Sequence, residues 1–332
     1  MTESGVMVIS LDLELSWGRF DTIPVKALED QALQERLQIR RLLNLLEKYE
    51  TPATWAMVGH LMLGGCSRGE AGGVHPEVHP HVRYPWFPHD WYHYDPCVPA
   101  SEAPAWYAPD VLDWIRGSRI PHEVASHSFA HIVFGDPECK VSHALSDLQA
   151  AVDVANQRGI RLESLVFPRN SVGHLEVVKS LGFGSYRGED PPPFLPNIKG
   201  IWRKIITVAD HWVGIAPRIV HPREVLPGLW NIPGNHFFIP RTGRFKYLPV
   251  RSRVRKGKRG IRKAIRHHGL YHLWFHPFDL IDDADAIFSG LEELLSYADQ
   301  LRGKGLLDIM TMSGYARRLK QNYGQTTAHA HA

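Results

Sequence analysis

The 332-residue sequence has little of several things that would narrow its class at once. Its three cysteines, Cys66, Cys97 and Cys139, are odd in number and widely spaced. They argue against a disulfide framework, form no CxxC metal site and fit a reducing compartment. No apolar run approaches the roughly 20 residues that a membrane helix needs. No signal peptide is recognisable: Val6–Leu11 is apolar, but no basic segment precedes it, and Asp12 and Glu14 interrupt it. The expectation is a cytoplasmic protein that acts on precursors made inside the cell. There is no internal repeat. Charge imbalance is slight, +3 with histidines neutral, too mild to imply nucleic acid.

Hydrophobic residues are plentiful at 44%, enough to bury a large core in one α/β domain of about 320 residues, with 321–332 as a flexible tail. Val6–Leu11 reads as a buried strand that ends at Asp12-Leu13-Glu14. In extended chain, residues two apart project to one side, so both carboxylates share a face. Residues 27–49 carry leucines at helical spacing. Ala53–Val58, Ile120–Ser126, Leu165–Phe167 and Tyr271–Phe275 read as further strands. Helical patterns fall at Pro109–Arg116, Ser142–Gln157, Leu175–Leu181 and Ile287–Leu301. Strands alternating with helices indicate a parallel α/β barrel or a doubly wound sheet, whose chemistry gathers at the carboxyl ends of the strands. Asp12, His127, Arg169 and His276 stand at such ends.

Residues 64–109 break the rhythm, being rich in Gly, Pro, His and aromatics. So long a loop is either functional or a surface excursion packed on its own aromatics. Trp86, Trp91, Tyr92 and Trp106 either line a sugar cleft or pack a core.

His127-Ser-Phe-Ala-His131 sets two imidazoles four apart, which on a helical turn could share an ion, with Glu14 or Asp12 as third ligand. Two histidines and a carboxylate suit a catalytic divalent metal, zinc first, with cobalt, manganese or iron as alternatives. Two carboxylates so close need separate roles, one on the metal and one as general base.

Ser10-Leu-Asp-Leu-Glu14, Ala53-Thr-Trp55 with Val58-Gly59, Glu123-Val-Ala-Ser-His127-Ser-Phe-Ala-His131, Phe167-Pro-Arg-Asn170 and Leu273-Trp-Phe-His-Pro277 occur in that order. In this the chain resembles the polysaccharide deacetylases, carbohydrate esterase family 4, over nearly its whole length. Within the family it is similar to the intracellular branch found with cell-surface polysaccharide biosynthesis. The resemblance implies a distorted (β/α) barrel of about seven parallel strands. It implies Asp12 as base, Glu14, His127 and His131 as metal ligands, Arg169 as the arginine that orients the base, and His276 as general acid. The family's adjacent aspartates are here split by Leu13, so an exchange of roles between Asp12 and Glu14 stays open. The arginine motif is also inverted, with Pro168 before Arg169. No aspartate that would tune His276 is identifiable.

The implied substrate is an N-acetylated amino sugar or glycan, with a backbone N–H near Asn170 helping to hold the oxyanion. Arg187 would bind an anionic group or form a structural ion pair. The alternatives are a hydrolase of a non-sugar amide on the same fold and a non-catalytic carbohydrate- or membrane-binding relative. The stretch 241–266 has many Arg and Lys and no acid, which suits peripheral contact with an anionic membrane, nucleic acid or a solvated helix face.

Overall fold

The computed structural model describes residues 4–69, 72–75, 77–188 and 212–330. Strand β1 (Gly5–Leu13) is central, and α1 (Val25–Lys48) follows it. Then come β2 (Thr54–Met57), α2 (Pro109–Arg116), β3 (Glu123–Ser126), α3 (Val141–Gln157), β4 (Ser164–Val166), α4 (Leu175–Ser180) and β5 (Ser185–Arg187). The second half holds β6 (Arg223–Leu226), β7 (Leu229–Asn231), β8 (His236–Phe237), α5 (Val250–Arg266), β9 (Leu270–Phe275), α6 (Ala284–Gly303), β10 (Leu307–Met310) and α7 (Met312–Ala330).

The strands form one curled, open sheet in the order β6-β7-β5-β4-β3-β2-β1-β9-β8. From β7 to β8 every pairing is parallel, and only β6 joins antiparallel. β10 pairs with the first half of β1 and β2 with the second, on the side away from β9. The expected distorted (β/α) barrel is borne out as a curled half-barrel, with more strands than the seven expected.

Alternation along β1 explains both the core and the site. Met7, Ile9, Leu11 and Leu13 face the helices in the main core. Val6 and Val8 face inward, where they meet Ala56, Ala125, Val166, Trp230 and Leu270 from other strands. Met312, Tyr315 and Ala316 of α7 close the amino-terminal end of this inner layer. Ser10 and Asp12 continue the same inward row, so the hydrophobic filling gives way to polar groups at the carboxyl ends of the strands.

Helix α5 carries the basic stretch. Arg253 is buried and donates to the carbonyls of Ile239, Pro240, Phe245 and Leu248. Lys258 pairs with Glu293 at 2.7 Å, and Arg259 donates to the carbonyls of Val213 and Gly214. Arg251, Arg255, Arg262 and Arg266 remain exposed. The charge run is thus partly consumed inside the fold. Among the described residues no helix is long and apolar enough to cross a membrane. Helix α7 runs on to Ala330, and residues 331–332 lie outside the described residues.

Two glycines let α5 approach the sheet and α6. A Cβ at Gly260 would stand 2.6 Å from the Tyr271 ring, and one at Gly257 2.8 Å from Leu294. Gly260→Ala should cost about 1–3 kcal/mol in denaturant unfolding, because the buried Tyr271 has no free space to move into. The exposed Arg262→Ala should change stability by about 0.5 kcal/mol or less. Equal stability of the two variants would contradict this packing.

Candidate active site

The inward row of β1 ends in Asp12, with Glu14 immediately beyond the strand, and both are nearly fully buried. Leu13 between them points into the main core, so the Asp-Leu-Glu spacing sends two carboxylates into one cavity. The same phase brings in His127 beyond β3, Arg187 at the end of β5 and His276 beyond β9.

The two carboxylates have different neighbours. Glu14 Oε1 lies 3.0 Å from His127 Nε2 and 3.2 Å from His131 Nε2. His127 donates from Nδ1 to the Val166 carbonyl at 2.8 Å, which turns Nε2 toward Glu14. Burial pushes His131 toward its neutral form, although Glu14 opposes this. Its Nδ1 has no hydrogen-bond partner among the described residues. Burial raises the Glu14 carboxyl, but His131, His276 and His127 outweigh it and hold Glu14 well below the usual range. An ionised carboxylate and two imidazole nitrogens therefore converge, a donor set that fits a divalent cation.

Asp12 is held differently. Arg187 donates to both of its oxygens, at 2.6 Å each, and to Ser10 Oγ at 3.0 Å. Asn170 Oδ1 accepts from the same guanidinium at 3.1 Å, and the Trp274 ring lies 4.3 Å from it. Ser10 also bonds to His272 Nε2 at 2.8 Å, and His272 Nδ1 donates to the Pro233 carbonyl. Burial and nearby Arg187 push His272 down to about 3, so it is neutral. For Asp12, burial raises the carboxyl, but the Arg187 charge and hydrogen bonds more than offset this and keep it below its usual value.

His276 faces both acids, with Nε2 3.6 Å from Glu14 and 3.8 Å from Asp12. Its Nδ1 donates to Asp279 at 2.9 Å, and Asp279 also accepts the His276 backbone N–H. Phe278 stacks on the imidazole at 4.4 Å, with Arg19 over the same phenyl ring. Burial alone would lower the His276 pKa, but Glu14, Asp279 and Asp12 lift it to about 9.

Several expectations need correction. Arg169 does not reach Asp12. It lies in a turn with φ 56°, which sends its side chain outward to Asp21 and over Trp86. Arg187 is the arginine on Asp12, so it forms an ion pair and is not free for an anionic ligand. The histidine pair is not on a helix: His127–His131 is a loop with Ser128 and His131 at positive φ. Asp147 of α3 holds that loop by accepting the N–H groups of Phe129 and Ala130. Trp91 offers no open face, being 1% exposed with its indole N–H donating to the Ala130 carbonyl at 2.6 Å. Trp86 remains 45% exposed and stacks on Tyr84. Asn170 spends its N–H on the Phe167 carbonyl and its side-chain oxygen on Arg187.

Sequence reasoning missed Arg187 as the partner of Asp12, Asp147 and Asp279. Asp279 had a local signal, an acid three residues after His276 at a strand end, where it forms a reciprocal cap. Arg187 had only the end of a short strand.

Arg187→Met would leave the Asp12 carboxylate buried and unpaired, which costs about 3–5 kcal/mol near neutral pH. In the parent, the depressed Asp12 pKa gives stability that is present above the unfolded value of about 4 and is lost as pH falls through the folded value. In the variant the dependence on this group reverses, and acidification toward the unfolded value relieves the strain. Unfolding free energies across pH for Arg187→Met, and for Arg187→Met/Asp12→Asn as the relieved pair, check this. Equal losses in both variants would contradict it.

No family model and no curated protein sequence matches the chain. Solved structures do. A protein of Mycobacterium smegmatis assigned as a polysaccharide deacetylase matches with a TM-score of 0.64 at 13% identity, over 97% of this chain and 92% of its own. One from Pseudomonas aeruginosa PAO1 with the same assignment gives 0.59 at 12% identity, over 94% and 89%. The Puue allantoinase also gives 0.59, at 11% identity over 94% and 89%. At these identities the likeness is one of architecture, and by it the chain has the polysaccharide deacetylase fold.

Proposed function

We propose that the protein is a metal-dependent hydrolase that removes an N-acetyl or similar N-acyl group from an amino sugar of a cell-surface polysaccharide or its precursor. The observation that carries this reading is the division of labour between adjacent acids: Glu14 with two imidazoles, Asp12 on a fork of Arg187. The deacetylase fold supports it.

Glu14, His127 and His131 would hold the ion, which when bound polarises an amide carbonyl and lowers the pKa of water toward ~7. Asp12, kept ionised by Arg187, is the base that takes the proton of the attacking water at a carboxylate oxygen. His276, protonated at neutral pH, delivers its Nε2 proton to the departing nitrogen, while Asp279 fixes the opposite ring edge. Acid and base atoms 3.8 Å apart can serve one tetrahedral centre. The exposed Trp86 beside Arg169 gives the rim a flat apolar face and a cation for a sugar ring and its polar groups.

A second reading, hydrolysis of a non-sugar amide, is favoured by the equal likeness to an allantoinase. Acetate release from a panel of N-acetylated sugars, nucleotide sugars and oligosaccharides separates the two. The assay compares metal-free enzyme with enzyme reloaded with zinc or cobalt. The proposal expects metal-dependent release from at least one sugar. Activity confined to a non-sugar amide panel would overturn it in favour of the second reading.

Asp12→Asn should keep its metal and lose about 10²–10⁴-fold in kcat. His127→Ala should lose one equivalent of metal along with activity. Normal turnover in either variant would contradict the assignment.

Removing the Asp279 carboxylate lowers the affinity of His276 for its proton. The active form of a general acid is the protonated one, so the alkaline limb of kcat/KM in Asp279→Asn should move to lower pH. Activity at neutral pH should fall about 10-fold or more. An unmoved limb would remove His276 from the role of acid.

A further inference from the structure

Among its described residues, the long insertion between β2 and α2 has no helix or strand beyond the short turn of helix at Gly59–Met62, and Gly65 and Pro99 form an isolated bridge. Yet much of it is buried, and at its centre four side chains meet. His60 Nε2 is 3.0 Å from His75 Nε2, and both are close to Asp95 Oδ2, at 2.8 and 2.9 Å. Cys66 Sγ lies 3.5 Å from the same oxygen. These four ligand atoms all fall within 4.8 Å of one another, and His60, His75 and Asp95 are each 3% exposed or less.

The surroundings fix which atoms face the centre. His60 Nδ1 faces the Trp106 carbonyl at 3.4 Å, and His75 Nδ1 faces the Glu77 carboxylate at 2.6 Å. With Nδ1 of each ring turned to an acceptor, each ring points its Nε2 inward. Asp95 Oδ1 is already occupied, accepting from the Tyr107 hydroxyl at 2.8 Å and the Cys97 N–H at 3.0 Å, which leaves Oδ2 for the centre. Two ring nitrogens and a carboxylate oxygen then lie in mutual contact. One cation serves all three, and the thiolate of Cys66 completes a fourth corner.

We propose that His60, Cys66, His75 and Asp95 form a second metal site, structural in role and suited to zinc, distinct from the Glu14 site. Two nitrogens, one sulfur and one carboxylate oxygen with no position left for substrate are the donors of a closed tetrahedral zinc centre. Zinc bonds of about 2.0–2.3 Å set tetrahedral corners roughly 3.3–3.7 Å apart, so the cage opens by a few tenths of an ångström to receive the ion. The consequence is local order. Gly59 and His60 donate their N–H groups to the Ser128 and Phe129 carbonyls, and the Phe129 ring packs on both His60 and His75. The ion would therefore clamp the insertion onto the back of the His127–His131 loop, where Trp91 and Tyr84 also attach. This site stands apart from the proposed hydrolase reading and does not depend on it.

The test is metal analysis by mass spectrometry together with absorption spectroscopy of the cobalt-loaded protein. Wild type should bind two equivalents, and cobalt should give a thiolate charge-transfer band in the near ultraviolet. The Glu14 site offers no sulfur, and the histidine-bearing end of the chain has no cysteine. His127→Ala/His131→Ala should keep one equivalent and the band. Cys66→Ser should lose the band and one equivalent, and limited proteolysis should then cut within 64–108 at least tenfold faster. If either variant fails to fold, the band in wild type still decides. Absence of that band in reduced, cobalt-loaded wild type would overturn the proposal. So would a wild-type mass that shows Cys66 joined to the neighbouring Cys97 by a disulfide.

Discussion

A buried arginine holds a buried aspartate across the inside of a curled sheet. Arg187 and Asp12 come from β5 and β1, with β4, β3 and β2 between them. They can meet at 2.6 Å only because the sheet curls and both side chains point inward. Burying either charge alone is costly, so each makes the other tenable. The rest of the site follows from the pair. With both oxygens on the guanidinium, Asp12 stays ionised and apart from the imidazole pair, and Glu14 is left to His127 and His131. Ser10, Asn170 and Trp274 crowd the same guanidinium and fix its plane. The small residues Ala56 and Ala125 lie on the same inward face below it, in the apolar layer that α7 seals.

Much of this is written in period two. The alternation of Val6, Val8, Ser10, Asp12 and Glu14 could be read as one inward row, and the structure places both acids in one cavity. The buried strands were legible because parallel strands between helices are apolar on both faces. His127, His131 and His276 were legible by their position after such strands. Arginines were not, because strand ends do not tell which way a side chain leaves. Arg169 sits three residues beyond β4 in a left-handed turn and swings out to Asp21, whereas Arg187 ends a three-residue strand and swings in. The histidine loop misled for a related reason. A spacing of four suits a helix, but Asp147, Ser126 and Ser128 supply side-chain hydrogen bonds that stabilise a tight non-helical loop instead.

The insertion at 64–109 shows the limit of periodicity. Its aromatics suggested a sugar cleft or self-packing, and most of them pack. Trp91, Tyr92 and Trp106 are buried against Trp17, Phe20 and His75, and Trp86 alone among the four named tryptophans and tyrosines stays open at the rim. The polar groups of the insertion are no less ordered, since Tyr107, Asp95, His60 and His75 form one connected set. Such sets leave no pattern in a sequence, because their members are scattered along the chain and meet only once the loop has closed.

The central claim is that Glu14 and Asp12, two residues apart, do different work because Arg187 holds one of them off the metal. Anomalous diffraction at the zinc edge from crystals of the zinc-loaded protein tests it most directly. The account predicts a peak bonded to Glu14, His127 and His131, with the Arg187–Asp12 fork intact beside it. A peak bonded to Asp12, with the fork broken, or no peak between the two histidines, would contradict it.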